Sequence, residues 1–362
     1  MKINCFMRIG LMLLIVFSCA NDKTPIKNKY KKRSPMADYF LMEGNKFLKK
    51  HDFKRALALA DSAELYAIKK DDVYFFKGRI YSELGRFSKA DQAYNYTINI
   101  NPDYIGAWNN LGNNAFRQQN FSQAVEYYKK EIIKNKTSIP FRALGRAYVE
   151  LGKTDSARIC FQHSIDINNN YASAYLNLAQ LEEDEGSLNK ALQLASRAYA
   201  LEPNNVEYQY VYSTILVQMD RGKEAIYSLR EIIKEWPWHH GAHYNLGRAL
   251  IQSGQKVEGQ QYLDESEKIR ANQAKIDHLE NTIRALPDDP YSYAALAFAL
   301  RKVGRFNDSM HSYKVALYLD PDNYDIWNNV ANLYLLQKDT IKALDTYNYI
   351  VDKNPELIDI WL

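Results

Sequence analysis

Residues 71–104 read DDVYFFKGRIYSELGRFSKADQAYNYTININPDY, and the spacing of a few residue types within them decides the fold. Tyr74, Gly78 and Tyr81 stand four and three residues apart, Ala90 follows the glycine by twelve, and Tyr94 follows the alanine by four. Intervals of three and four bring side chains onto one face of an α-helix. Pro102 closes the stretch, and proline stops a helix because it lacks the N–H donor. These residues predict two helices joined by a turn, with small residues at Gly78 and Ala90 where the helices approach most closely.

The pattern recurs outward in both directions. Gly44, Gly112, Gly145 and Gly247 fall in register with Gly78 at steps of 34 residues, shortened once to 33, while Ala179 and Ser213 hold the position in the two units between. Twelve residues further on stand Ala56, Ala124, Ala157, Ala191, Ala225 and Gly259. Aromatics precede the glycine by four at Phe40, Trp108, Phe141 and Tyr175, and follow the alanine by four at Tyr128 and Phe161. Pro203, Pro237, Pro321 and Pro355 end their units as Pro102 does. The 28 tyrosines are thus accounted for as packing, and no ligand cage is needed to explain them.

A helix–turn–helix of 34 residues with small residues at its eighth and twentieth positions resembles the tetratricopeptide repeat. The resemblance implies an all-α fold: a right-handed superhelical solenoid of antiparallel helix pairs, with seven plus two repeats. The units begin at 37, 71, 105, 138, 172, 206 and 240 and run to 273; two more occupy 290–323 and 324–357. Residues 274–289 form an irregular helical insert. No glycine or proline lies between Gly259 and Pro287, so either the second helix of repeat 7 is lengthened or a separate helix covers 275–286. Both alternatives split the array in two. Residues 358–362, with Trp361 where Trp108 and Trp327 stand, look like the start of an incomplete repeat, which would leave an uncapped apolar face open to a partner or a second copy.

The N-terminus reads differently. Lys2 and Arg8 precede the apolar run Ile9–Phe17 and the small Ser18, as in an export signal over residues 1–18, and nine apolar residues are too few to span a bilayer. Val16-Phe17-Ser18-Cys19 resembles a bacterial lipobox, which implies lipidation at Cys19 and anchoring of an exported lipoprotein in the bacterial envelope, at the outer membrane; an ordinary signal peptide is the alternative. Residues 19–36 make a polar tether with Lys23, Lys27, Lys29, Lys31, Lys32 and Arg33 against Asp22, suited to anionic headgroups or to serving as a spacer. Of 47 basic and 43 acidic residues, the signal and tether hold eight and one, which leaves 39 and 42. A slightly acidic array is no partner for nucleic acid, which demands a basic face.

In the tetratricopeptide family the second, fifth, sixth, ninth and twelfth positions of the first helices face a bound peptide. Carried over, they give Arg79; Asn109, Asn110 and Asn113; Arg142 and Arg146; Asn177 and Gln180; Tyr210; Tyr244, Asn245 and Arg248; and Asn328, Asn329 and Asn332. Asn110, Asn177, Asn245 and Asn329 share the sixth position, and an asparagine row can grip a peptide backbone through its paired donor and acceptor. The row resembles the ladder of a glycosyltransferase family built on such arrays. The carboxylate clamp of other members is not expected, because Ile139 and Ala143 occupy two of its positions. His239 and His243 share a helix face without a third ligand, Glu182-Glu183-Asp184-Glu185 reads as a solvated acidic turn, and Cys160 as buried packing. No catalytic residue, metal or cofactor is expected. The expected function is that of a membrane-anchored scaffold holding a protein or peptide, with self-association as the alternative.

Overall fold

The computed structural model describes residues 34–355. The export signal, Cys19, the tether up to residue 33 and the chain from 356 onward, including Trp361, lie outside the described residues.

Among the described residues there are eighteen helices and no strands. Helices α1 (Pro35–Lys49) and α2 (Phe53–Tyr66) make repeat 1, α3 (Asp71–Glu83) and α4 (Phe87–Ile100) repeat 2, and α5 (Ala107–Arg117) and α6 (Phe121–Lys134) repeat 3. Repeats 4 to 6 are α7 (Ser138–Glu150) with α8 (Thr154–Ile167), α9 (Ala172–Asp184) with α10 (Leu188–Leu201), and α11 (Val206–Gln218) with α12 (Gly222–Glu235). Repeat 7 pairs α13 (His240–Gln252) with α14 (Lys256–Ala285); α15 (Pro290–Lys302) with α16 (Phe306–Leu319) and α17 (Tyr324–Leu336) with α18 (Thr340–Lys353) complete repeats 8 and 9. None of the described helices is long and apolar enough to cross a membrane. The array begins two residues before the expected boundary, because Ser34 caps α1 by accepting from the Ala37 N–H and Pro35 suits a first helical turn.

The small residues do what their spacing requires. A Cβ placed on Gly78 would lie 2.5 Å from the Tyr94 ring, one on Gly112 2.5 Å from Tyr128, and one on Gly145 2.5 Å from Phe161. Each aromatic of the second helix thus lies flat on the glycine of the first, and Tyr94 is wholly buried with its hydroxyl 3.1 Å from Ser82 Oγ. In repeat 1 the aromatic position holds Ala60, and Phe76 of repeat 2 covers Gly44 instead.

Every turn between paired helices passes through a left-handed residue. Five use glycine (Gly85, Gly152, Gly186, Gly254, Gly304) and four do not: His51, Gln119, Asp220 and Lys338, at φ between 55° and 61°. In repeat 1 the His51 N–H donates to the Leu48 carbonyl and the Asp52 N–H to Phe47, both at 2.9 Å, which satisfies the carbonyls at the end of α1.

Of the two alternatives for 274–289, the lengthened helix is the one present: α14 runs unbroken for 30 residues. Repeat 8 is thereby carried back to the start of the array. The Phe53 ring lies 5.9 Å from His311 and 6.4 Å from Tyr318, and Arg86 pairs with Asp288 at 2.8 Å while stacking 5.6 Å over Tyr318. Lys314 donates to the Lys50 carbonyl, and the Nδ1 atoms of His51 and His311 are 3.0 Å apart. A single buried cluster includes Leu48, Phe53 and Leu84 together with Tyr293, Tyr313 and Leu317. The solenoid is closed on itself by contacts about 260 residues apart in sequence.

Candidate functional site: a charged trough along the first helices

The first helices of repeats 1 to 5, with the start of α11, line three adjoining cavities. One of about 240 Å3 is bordered by Lys49, His51, Arg79, Glu83 and Asn110. The next, about 640 Å3, shares Asn110 and Glu83 and adds Asn109, Asn113, Arg117, Arg142, Arg146 and Glu150. The third, about 620 Å3, shares Arg142, Arg146 and Glu150 and continues to Asn177, Gln180, Glu183, Asp184, Glu207 and Tyr208. Shared lining residues set them side by side as three compartments of one trough.

Eight of the expected groove residues are brought together here: Arg79, Asn109, Asn110, Asn113, Arg142, Arg146, Asn177 and Gln180. Tyr210, Tyr244, Asn245, Arg248, Asn328, Asn329 and Asn332 do not line these cavities. The structure departs most from the asparagine ladder at Asn245, which is buried, its amide donating to Thr214 Oγ1 at 2.9 Å. The Asn329 amide turns back to the Asp325 carbonyl at 3.0 Å, as the Asn110 amide does to the Gly106 carbonyl at 2.8 Å, and Asn332 is engaged by Asn328 and by the Tyr347 hydroxyl. Arg248 lies over the exposed Tyr244 ring.

Within the trough the arginines are held, but by neutral partners. Asn177 accepts from Arg142 at 3.3 Å, and Arg142 also donates to the Tyr171 hydroxyl at 2.8 Å. Arg146 stacks 4.9 Å over Phe116, Arg117 donates to the Ser82 carbonyl at 2.7 Å, and Arg79 donates to Asn45 at 3.0 Å. Asn113 accepts from the Tyr128 hydroxyl at 2.9 Å, and the Asn109 side-chain oxygen is buried without a hydrogen-bond partner. Among the described residues no carboxylate comes within 4.0 Å of these four arginines, whereas Arg55, Arg86, Arg158, Arg221 and Arg305 are each paired.

Most residues missed in the sequence share one register; Glu207, at the second position of its unit, is an exception. Lys49, Glu83, Arg117, Glu150 and Asp184 all stand at the thirteenth position of their units, one beyond the last position carried over from the family. The run Glu182–Glu185 is corrected as well. Helix α9 continues through Asp184, so the segment is no solvated turn. Glu182 is 3% exposed and receives Arg158 and Lys190, both at 2.8 Å. Burial opposes its ionisation, but the hydrogen bonds from Lys190 and Arg158 outweigh it and hold the carboxyl below its ordinary pKa. Glu182→Ala is expected to lower unfolding stability by about 1–3 kcal/mol, read from urea denaturation, because two cations lose the group that orders them. Glu183, by contrast, faces the trough. Burial pushes its carboxyl upward, the Gln218 amide offsets part of this, and Asp184 adds repulsion.

The other candidates are absorbed by structure. His239 caps α13 by accepting from the Ala242 N–H at 3.0 Å, and His243 reaches the Pro237 carbonyl at 3.1 Å. Cys160 is buried, and burial pushes its thiol up to about 11.

Stacked helix pairs with a side-chain-lined trough define the class: an all-α helical-repeat scaffold. Family models described as tetratricopeptide repeat match residues 71–104, 105–130, 142–206 and 312–345, and one described as anaphase-promoting complex, cyclosome, subunit 3 matches 184–266. The chain is a tetratricopeptide repeat protein. It is similar to human protein O-mannosyl-transferase TMTC1, at 23% identity over 217 residues, covering 59% of this chain but only 23% of that protein's length. Type IV pilus assembly protein PilF of Pseudomonas aeruginosa is 24% identical over 135 residues, 37% of this chain and 54% of that protein. Among solved structures, Pseudomonas aeruginosa pilF superposes with a TM-score of 0.51 at 17% identity, covering 59% of this chain and 97% of that one. PilW, a type IV pilus biogenesis factor, gives 0.51 at 15% identity over 57% and 97%. Likeness at this level shows the shared fold.

Proposed function

We propose that the trough of repeats 1 to 5 holds an extended polypeptide segment, and that the chain is a non-enzymatic scaffold tethered through Cys19 to a membrane of the bacterial envelope. The observation that carries the first part is the row of three adjoining cavities, lined by asparagines and by arginines whose own hydrogen-bond acceptors are neutral. Amide side chains with spare donors and acceptors bind backbone, and arginines with no carboxylate partner leave charged donors for a ligand. An envelope assembly role, of the kind the name of the pilus assembly relative describes, is compatible with such a tethered scaffold.

Selection of a displayed random-peptide library on the immobilised chain tests the trough. Peptides enriched on the native protein are expected to lose binding by about tenfold or more to N110A/N113A/N177A. Equal enrichment on both proteins overturns the reading. Asn245→Ala separates structure from binding, since its buried amide holds Thr214; it is expected to cost about 1–2 kcal/mol of stability while the selected peptides still bind. The tether is tested by mass spectrometry of the mature N-terminus, where a lipid-modified Cys19 is expected and an unmodified N-terminus rejects it.

A further inference from the structure

The charges along the trough are graded from helix to helix, with arginines gathered on α5 and α7 and carboxylates on α9 and α11. Arg117, Arg142 and Arg146 converge on the cavity between α5 and α7. Glu183, Asp184 and Glu207, on α9 and α11, border the next cavity, whose near wall on α7 is again Arg142 and Arg146. Glu150 stands on the wall between them and Glu83 at the far side of the basic cavity. Opposite charges on adjacent helices ordinarily find one another, as Arg158 does with Glu182 and Glu185. Here they do not: among the described residues none of these arginines has a carboxylate within 4.0 Å, and none of these carboxylates has a basic partner within that distance. Their hydrogen bonds go to neutral groups, Ser82, Tyr171, Asn177 and Gln218.

Like charges held side by side around a half-enclosed space repel one another, and a ligand of complementary pattern relieves that repulsion. A uniformly acidic ligand would be drawn to the arginines but repelled at Glu183 and Asp184, and a uniformly basic one would meet the reverse. Building on the polypeptide reading above, we infer that the trough selects a segment with an acidic group and a basic group a few residues apart, the acidic group lying at Arg117–Arg146 and the basic one at Glu183–Glu207. Neighbouring packed helices are roughly 10 Å apart, so one to two helices correspond to about three to six residues of extended chain. The charge register also fixes the direction in which such a segment lies.

Fluorescence anisotropy with labelled synthetic peptides tests this on the purified chain. One probe carries a block of three glutamates, a Gly-Ser-Gly spacer and three lysines; a second has the same composition with glutamate and lysine alternating; a third has serines in place of the charges. The block peptide is expected to bind at least about tenfold tighter than the alternating one, with the difference shrinking as salt rises. In E183K/D184K, preference is expected to pass to an all-glutamate peptide while helicity and thermal stability are kept. Equal affinity for block and alternating peptides, or an unaltered preference in E183K/D184K, overturns the charge register; retained binding of the serine peptide in either case leaves the trough a peptide site. If no peptide binds, the charge register and the polypeptide reading fall together.

Discussion

Substitution of Gly112 by leucine is expected to abolish cooperative folding of the array around repeat 3. A single Cβ at this position already comes within 2.5 Å of the Tyr128 ring, and the next nearest ring atoms lie at 2.6 and 3.0 Å. Tyr128 is 2% exposed, and its hydroxyl is tied to Asn113. The ring cannot tilt away without either leaving its cluster, which includes Ala124, Val125 and Leu144, or breaking that bond. Overpacking by one methyl costs about 1–3 kcal/mol; the full leucine side chain has no space and forces α5 from α6. Each repeat is stabilised by its neighbours, so the loss extends into repeats 2 and 4. Urea denaturation followed by circular dichroism is expected to show a broadened, earlier transition, and an unchanged midpoint would refute the packing account. Gly152→Ala is the control: no atom lies within 4 Å of its Cβ, but φ is +67°, so only the left-handed backbone cost of about 1–2 kcal/mol applies.

The second large effect is acid sensitivity at the closure of the solenoid. Two imidazole Nδ1 atoms 3.0 Å apart form a hydrogen bond only if one donates and the other accepts. Protonating both destroys it. Burial, then the positive surroundings of His51, Arg117 and Lys314, push the His311 pKa down to about 4, with Asp308 opposing. His51 is lowered too, by burial and by Lys314, against Glu83. A histidine whose folded pKa lies below its ordinary 6.5 binds fewer protons folded than unfolded, so stability is intact above that value and declines as pH falls toward 4. The full loss from His311 is about 3 kcal/mol. His311→Phe keeps a ring against Phe53 and removes the titration. Its stability, measured by urea midpoints from pH 7 to 4, is expected to fall less steeply than that of the native chain; parallel curves would show that the pair is not the sensitive element.

The repeating helix pairs were legible because packing imposes them locally: Gly78 on Tyr94 and Gly145 on Phe161 are contacts within one unit, and their spacing is visible in any single repeat. The lengthened α14 was only half legible. The absence of glycine and proline between Gly259 and Pro287 permits a continuous helix without requiring one. The closure was not legible, since Phe53 and Tyr318 are ordinary packing residues in their own units and nothing local says that they meet. In the trough, the ninth-position residues Arg79, Asn113, Arg146 and Gln180 line the cavities together. The thirteenth was missed because it lies on the last turn of the first helix, where family positions stop. Asn245 was over-read for a converse reason: it has the register of Asn110, but Thr214 on the preceding first helix supplies a partner that buries it. Residue type and register place a side chain on a face; the neighbour beneath it decides whether the polar group is spent.

The contact between repeats 1 and 8 also orders events during synthesis. Repeats of a linear solenoid can consolidate as they leave the ribosome, each on the one before. The sides of Phe53 that His311 and Tyr318 cover must instead wait for a partner made about 260 residues later. Closure is then the docking of two preformed stacks rather than the collapse of a flexible loop, so most of the chain entropy has been lost before the ends meet. The nascent first repeat carries an unfinished apolar edge through most of translation. That edge stays open until α16 arrives.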